Sequence, residues 1–505
     1  MKKVNVIGSG FAGLSAAAYL AKAGHQVDLF EKNEMLGGRA RKFSAEGFTF
    51  DMGPSWYWMP DVFEDFFANF NHSVSDFYHL LRLDPSYRVY FGEDDHVDLP
   101  ASLEGLCDLF ESLEKGAGKK LRKFLAEAEY KYKVGIQKLV HKPSKSLLEF
   151  ADPKLLYGLI KMDVFNSLSS QVRRLFKHPK LIEILEFPVL FLGATPQKIP
   201  ALYSLMNYAD MVGGTWYPQG GMHRIVEAMV NVAKEQGVNF HTDSFVDEIV
   251  VKNGLAQHMM VNGQSKKADY FVAGADYHHV DQFLLQPEHR NYSADYWDKR
   301  VLAPSSLIFY LGVDKRLQNL LHHNLFFDED FGLHAKEIYE DPQWPEKPLF
   351  YVCAPSVTDP SVAPEGKENI FILIPVAPNL DDPQETKDFY YNLVMDRLEK
   401  LTKQKIREHV TYRRDYSHTN FKEDYHAFKG NAYGLANTLK QTAILKPQLA
   451  NKKVKNLFYT GQLTVPGPGV PPSIISGEVV SKEIHNITKV KPNNSPTETI
   501  NVQTS

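Results

Sequence analysis

Short apolar runs recur along the chain at the length of buried strands, separated by alanine-rich or amphipathic stretches of helical length. Val4, Val6 and Ile7 form the first run and enter Gly8-Ser9-Gly10-Phe11-Ala12-Gly13. The alanine-rich stretch that follows predicts a helix, with Gly24 placed to end it. Val27 to Phe30 reads as a second buried strand ending in Glu31. From about 81 to 215 the pattern predicts mainly helix. Gly220-Gly221-Met222 then opens a helix from Arg224 to Gln236, and FHTDSFVDEIVVKNGLAQHMMV predicts strand, turn and strand about Asn253-Gly254. The run ADYFVAGAD ends at Asp276. Strands and helices mix from about 290 to 440, with FILIPVA the clearest buried strand. LFYTG (457–461) is a last strand before a Pro/Gly-rich loop and the helical SIISGEVVSKEIHNI. From about Lys489 the tail is polar and aperiodic and is expected to be disordered.

Strand, glycines, helix, strand and acid in this order describe a dinucleotide site. The glycines permit a tight turn, close backbone approach to a pyrophosphate and close packing of helix on strand. The helix N-terminus offers free N–H groups to the phosphates, and Glu31, 18 residues after Gly13, is placed for ribose hydroxyls. This much fits a nicotinamide or a flavin equally.

Two further stretches favour the flavin. Leu36-Gly37-Gly38-Arg39-Ala40 and FTFDMGPSWY (48–57) follow the ribose acid: Arg39 can reach phosphates, and Gly53-Pro54 lets the backbone approach an isoalloxazine ring. Alone, Gly37-Gly38 would be a plain turn. TGQLTVPGPGVPPSIISGE (460–478) joins a strand-end glycine, a rigid loop and a helix N-terminus, suited to a ribityl chain and ring oxygens. With one fingerprint in the chain, no nicotinamide is expected.

At 505 residues, 43% hydrophobic and 23% charged, the chain is globular and too long for one core. Cys107 and Cys353 give neither a disulfide framework nor metal-ligand spacing, which points to a reducing compartment. A first strand at Val4 leaves no room for a signal peptide, and no apolar run approaches the roughly 20 residues of a membrane span. The net charge of −4 conceals an imbalance: residues 115–180 hold 16 Lys/Arg against 5 Asp/Glu, net +11, leaving −15 elsewhere. Within it, PKLLYGLIKMDVFNSLSSQVRRLFKHPKL has the composition of a helix pair lying in an anionic membrane interface, or of a solvated helical subdomain with a basic face. No nucleic-acid module accompanies it, and no nucleic-acid partner is expected.

The N-terminal fingerprint, GGRA, FDMGPS, GTWYPQGGM (214–222) and the C-terminal segment resemble flavin amine-oxidase-type oxidoreductases. More narrowly they resemble the bacterial-type carotenoid desaturases, phytoene desaturases above all. LLHHNLFF (320–327), APSVTDPSVAPEG (354–366), LEFPVLFLGATP (185–196) and LMNYAD (205–210) carry the narrower likeness, which runs from Val4 to about Ile487. The resemblance implies an FAD site lined by Gly8, Gly10, Gly13, Glu31, Lys32, Gly38, Arg39, Gly53, Pro54, Ser55, Val246, Asp276 and Gly461, closed by the loop Gly467-Pro468-Gly469-Val470-Pro471. Here that loop is proline-heavy where the family often has alanine or glycine.

The fold expected is α/β: a discontinuous Rossmann-like FAD-binding domain (1–80, 220–290, 441–488), a mixed α+β substrate domain (81–114, 181–219, 291–440) and a helical, membrane-facing subdomain (115–180). The reaction implied is hydride transfer from an allylic carbon to flavin N5, then proton loss from the neighbouring carbon, with quinone or oxygen as final acceptor. The substrate is a long apolar carotenoid, phytoene carried toward lycopene. The rivals are a hydroxylated or partly desaturated carotenoid, a flavin amine oxidase, or a non-enzymatic carotenoid carrier. The enzyme would be peripheral, on the cytoplasmic side of the membrane. No HExxH or GxSxG occurs, and His278-His279 and His322-His323 lack the i,i+4 spacing of zinc ligands, so no metal is expected. Trp56, Tyr57, Trp58, Tyr208, Trp216 and Tyr217 are aromatics that could line a tunnel or fill the core. No catalytic base stands out; Glu149, Asp152 and Asp210 are the acidic candidates.

Overall fold

Residues 1–146, 149 and 166–488 are described by the computed structural model. The strand Lys3–Ile7 is the middle of a five-stranded parallel sheet ordered Leu457–Tyr459, Tyr270–Ala273, Lys3–Ile7, Gln26–Phe30 and Asn239–His241. Val4 sits between Val27 and Tyr270 in register. The sheet thus takes strands from the beginning, middle and end of the chain, and both faces are covered, which is why its strands read as unbroken apolar runs. The helix Phe11–Lys22 follows the glycine turn, and Gly24, at φ +88°, ends it. The long helix Val470–Thr488 lies against it at backbone distance. A Cβ on Gly477 would stand 2.5 Å from the Ala12 carbonyl oxygen, and the Ser15 hydroxyl donates to the Ile474 carbonyl at 2.6 Å.

The expected hairpin is Val246–Lys252 with Leu255–Val261, turned by Asn253 and Gly254 at φ +53° and +70°. A second turn of the same kind, Asn262-Gly263, adds the strand Gln264–Lys267, too polar to register as a strand in the sequence.

A second sheet is mixed and has seven strands. Its order is Val410–Tyr416, Ser305–Val313, Glu368–Val376, Phe350–Cys353, His323–Phe326, Tyr87–Gly92 and Asp95–Leu99. The expectation of mainly helix from 81 to 215 is therefore corrected at its start. Residues 87–99 form a hairpin whose alternation places Val89 and Val97 inward, and only from Leu103 do helices take over. Ser305–Val313 is buried along its whole length, and its side chains alternate between two layers. Leu307, Phe309 and Leu311 pack with the helix Gln384–Thr402, while Ile308 and Tyr310 face Phe50 and Leu205 in the largest core.

Of the basic segment, residues 115–146, 149 and 166–180 are described, the helix Ala117–Val134 among them, and no membrane-facing subdomain is defined by them. Part of its charge is taken up inside the protein: Lys131 is buried and donates to the Ala201 carbonyl at 2.7 Å and the Ser204 hydroxyl at 3.0 Å. Among the described residues no helix is long and apolar enough to cross a membrane.

Candidate functional site

A cavity of about 730 Å³ begins at the carboxyl ends of the parallel strands and continues over the inner face of the seven-stranded sheet. Placement at strand ends follows from the fold, because there the backbone turns away and leaves a crevice. Gly8, Gly10, Glu31, Lys32, Gly38, Arg39, Gly53, Pro54 and Ser55 line it, as do Val246, Asp276, Gly461, Gly469, Val470 and Pro471. Gly13 does not. A Cβ there would lie 2.0 Å from the Gly8 carbonyl oxygen, so this glycine serves the packing of helix on turn. A Cβ on Gly10, by contrast, would meet nothing within 4 Å and would project into the cavity.

Glu31 is held at the turn by its own neighbours. Its Oε2 accepts the Ser9 amide at 2.9 Å and the Ser9 hydroxyl at 2.6 Å, and its Oε1 accepts the Asn33 amide and side chain at 3.0 and 2.9 Å. The four lone-pair positions of the carboxylate are thereby used, and a ribose hydroxyl would replace one of the Asn33 donors. Ser9 in turn accepts the Gly37 amide at 3.1 Å, which joins the first glycine turn to the second. Ser9 and Asn33 went unread in the sequence, since neither belongs to the glycine spacing.

Arg39 rides on the short turn Gly38–Ala40. Its guanidinium is over the Tyr425 ring at 5.1 Å, one Nη donates to the Asn431 carbonyl at 3.3 Å, and its Nε is buried with no partner among the described residues. Gly53 passes so close that a Cβ would come within 2.5 Å of the Arg39 carbonyl oxygen. Asp276 caps the helix Tyr277–Phe283 through the His279 amide at 3.2 Å. Burial pushes its carboxyl up to about 6, against the opposing pull of Arg39. The Lys32 amine turns toward the Glu423 carbonyl and His426. Gly461 is fixed by its amide donating to the Ser476 hydroxyl at 3.0 Å, ahead of the helix that Val470 and Pro471 begin.

Beyond Ser55 the cavity becomes an apolar arm. Ile136, Leu139, Leu192, Leu202, Leu205 and Met206 form one wall, and Ile308, Leu373, Ile444 and Val465 another. Trp56 and Trp58 stand at the junction. The other aromatics named from the sequence lie elsewhere: Tyr57 is bonded to the Tyr78 hydroxyl, Tyr217 donates to Asp359, Tyr208 packs on Tyr132, and Trp216 pairs with Tyr57 along the backbone. Tyr203, Tyr351, Tyr425 and Tyr433 take their place. Of these, Tyr351 shared a readable signal with Ile308 and Leu373, the period-two alternation of a buried strand.

Neither of the two described acidic candidates, Asp210 and Glu149, lines the cavity. Asp210 is buried and accepts the Tyr87 and Thr215 hydroxyls at 2.8 and 3.2 Å, and burial pushes its carboxyl up to about 7. Glu149 caps the turn 144–146 through backbone amides. Asp152 lies outside the described residues.

These features fit FAD: an open cradle over Gly10, a buried guanidinium nitrogen lacking an acceptor among the described residues, a helix start at the loop 467–471 and a carbon-walled arm beyond. The family model for flavin containing amine oxidoreductases matches residues 11–485. The chain is 40% identical over 476 residues to the carotenoid 3,4-desaturase of Haloarcula japonica, covering 94% of this chain and 96% of that one. It is 31% identical over 492 residues to the zeta-carotene-forming phytoene desaturase of Myxococcus xanthus, covering 96% and 94%. Among solved structures, an oxidoreductase from Methanosarcina mazei superposes with a TM-score of 0.62 at 18% identity, covering 95% of this chain and all of that one. A putrescine oxidase triple mutant superposes with a TM-score of 0.58 at 10% identity over 96% and 99%. Both share the fold. The chain is an FAD-dependent oxidoreductase and belongs to the carotenoid desaturases, within the flavin containing amine oxidoreductase family.

Proposed function

We propose that the protein desaturates a long carotenoid, with phytoene as first substrate and successive double bonds introduced toward lycopene. One observation carries this reading: a single cavity joins the nucleotide turn at Glu31 to an arm walled by Leu202, Leu205 and Met206. An amine oxidase would need a polar clamp for its substrate, and this arm supplies hydrocarbon contacts instead. The flavin, when bound, supplies the acceptor for a hydride from the substrate's allylic carbon. The chain's part is to hold the dinucleotide by the turns around Gly10 and Gly38, to pair Arg39 with its phosphates, and to close over it with Gly469, Val470 and Pro471. The arm orients the polyene against Trp56 and excludes water. With neither Asp210 nor Glu149 at the cavity, the proton from the neighbouring carbon leaves without help from either.

A second reading takes a partly desaturated carotenoid as substrate. The relative at 40% identity, named for 3,4-desaturation, favours it. Lys142 and Ser144 line the cavity where it reaches the basic stretch, which supports a peripheral enzyme that collects its substrate at a membrane surface. Expression in cells that accumulate phytoene, followed by pigment analysis, tests the proposal. Desaturated products are expected. Unchanged phytoene beside a fully flavin-loaded protein overturns the first substrate, and a parallel strain accumulating a partly desaturated carotenoid then decides for or against the second.

A further inference from the structure

Behind the cavity wall, two strands bring together three side chains that the reaction does not use. His323 opens the strand His323–Phe326, and Cys353 lies opposite it in register on Phe350–Cys353. His322 precedes it. One ring nitrogen from each histidine and the Cys353 sulfur all lie within 4.8 Å of one another, and all three side chains are buried. The sequence spacing concealed this, because Cys353 is brought in by strand pairing 30 residues later.

The hydrogen bonding around the cluster is that of a ligand set. His322 Nδ1 is bonded to the Thr358 hydroxyl at 2.9 Å, and His323 Nδ1 to the Tyr351 hydroxyl at 2.6 Å. The Nε2 atoms of both rings are buried without a partner among the described residues. An imidazole that engages an oxygen through one nitrogen and leaves the other free is how protein histidines present themselves to metals, and a buried nitrogen left unpaired is otherwise costly. Asp359, fully buried, acts electrostatically on His322 and is held ionised by the Ser361 hydroxyl and the Gly220 amide. On ligation Cys353 would give up its proton, and the resulting thiolate and this carboxylate would balance a divalent cation.

We propose that His322, His323 and Cys353 form a binding site for a borderline-soft divalent metal ion of the zinc class. Tetrahedral bonds of about 2.0–2.3 Å place such ligand atoms roughly 3.3–3.8 Å apart, so closure from the present spacing takes side-chain shifts on the order of 1 Å. Imidazole and thiolate ligands without a carboxylate select against magnesium and calcium. The ion would tie together the two strands and, through the stacking of His323 on Trp56 at 4.1 Å between ring centres, the wall at the junction of the flavin site and the arm. Trp56 and Tyr351 line the cavity, which gives the ion its way in.

The test is metal analysis of the untagged, flavin-loaded full chain, followed by cobalt(II) titration of the chelator-treated protein. About one zinc per chain, and a thiolate-to-cobalt charge-transfer band saturating at one equivalent, are expected. Cys353→Ser should abolish the band, and His322→Asn should weaken cobalt binding at least tenfold, each read beside the flavin spectrum as a check of folding. Less than about a tenth of an equivalent of metal together with no cobalt band overturns the proposal, as does metal retained at full stoichiometry in a folded Cys353→Ser variant. Should both single variants fail to fold, the wild-type cobalt titration decides alone.

Discussion

The Glu31 carboxylate accepts both the amide and the hydroxyl of Ser9, at 2.9 and 2.6 Å, so the acid at the end of the second strand is built into the glycine turn at the end of the first. Ser9 then accepts from Gly37, and the three turns at this end of the cavity become one unit. Ser9→Ala keeps the amide bond to Glu31 and removes the hydroxyl alone. It should nonetheless weaken FAD about fivefold, the equivalent of roughly 1 kcal/mol for a buried hydrogen bond. Glu31→Ala, which strands several donors at once, should weaken it by about 30-fold or more. Fluorescence titration of the apoprotein with FAD measures both, and an unaltered Kd in Ser9→Ala would show that the turn does not depend on this link.

Gly10 and Gly13 occupy the same motif but are required for different reasons. The Cβ of Gly13→Ala would overlap the Gly8 carbonyl at 2.0 Å, whereas that of Gly10→Ala meets no protein atom. Gly13→Ala should lower the melting temperature of the apoprotein by several degrees, as a core overpacking of about 1–3 kcal/mol does. Gly10→Ala should melt like the wild type and yet be purified without flavin. Equal thermal destabilisation of the two would contradict this division.

Met206 lines the apolar arm, away from the nucleotide turn. Met206→Trp should leave flavin content unchanged while lowering kcat/KM for the carotenoid at least about tenfold, because a displaced chain loses its alignment with the acceptor. Loss of flavin along with activity would indicate a general packing defect and remove the arm from the account.

Asp210 gives a pH dependence with a defined sign. Its folded-state carboxyl is raised from 3.8 to about 7 by burial, so the folded protein keeps a proton that the unfolded chain releases. Stability is therefore expected to fall as pH rises between about 4 and 7 and to level off above. Asp210→Asn should flatten that fall, and should change turnover by no more than about threefold, since Asp210 is separated from the cavity by Trp58 and Thr215. Melting temperatures at pH 5, 6, 7 and 8 test the first expectation. A turnover lost in Asp210→Asn, with the fold intact, would return this carboxylate to the list of bases.

The membrane proposal rests on charge in residues 115–180 and is separable from the chemistry. Co-sedimentation with anionic vesicles should exceed that with neutral ones and decline with added salt. Equal binding to both would count against an electrostatic mode.

The nucleotide half of this protein was legible because its elements are local. The run Val4–Ile7, the glycines after it and Asn253-Gly254 each announce their geometry within a few residues. What sequence left out is non-local. Tyr425 and Tyr433 reach the cavity from outside any apolar strand run, and nothing near them in the chain marks them for it; Tyr351 had only the alternation of its strand. Trp216 and Tyr217 sit among residues that mark the family, yet they pack away from the cavity, because a motif records what a family keeps and not which way a side chain points. Residues 87–99 read as helical when their alternation, Val89 inward and Arg88 outward to Asp98, is that of a hairpin. The pair His322-His323 was set aside on helical spacing alone, a test that cannot see a ligand arriving from the neighbouring strand.

The most direct measurement is an anaerobic single turnover: flavin-loaded protein mixed with phytoene in vesicles, with the flavin absorbance and the extracted pigment followed together. The account expects bleaching of the oxidised flavin and one new carbon–carbon double bond per flavin reduced. A flavin that stays oxidised while carotenoid binds, or one reduced without a new double bond, would contradict it.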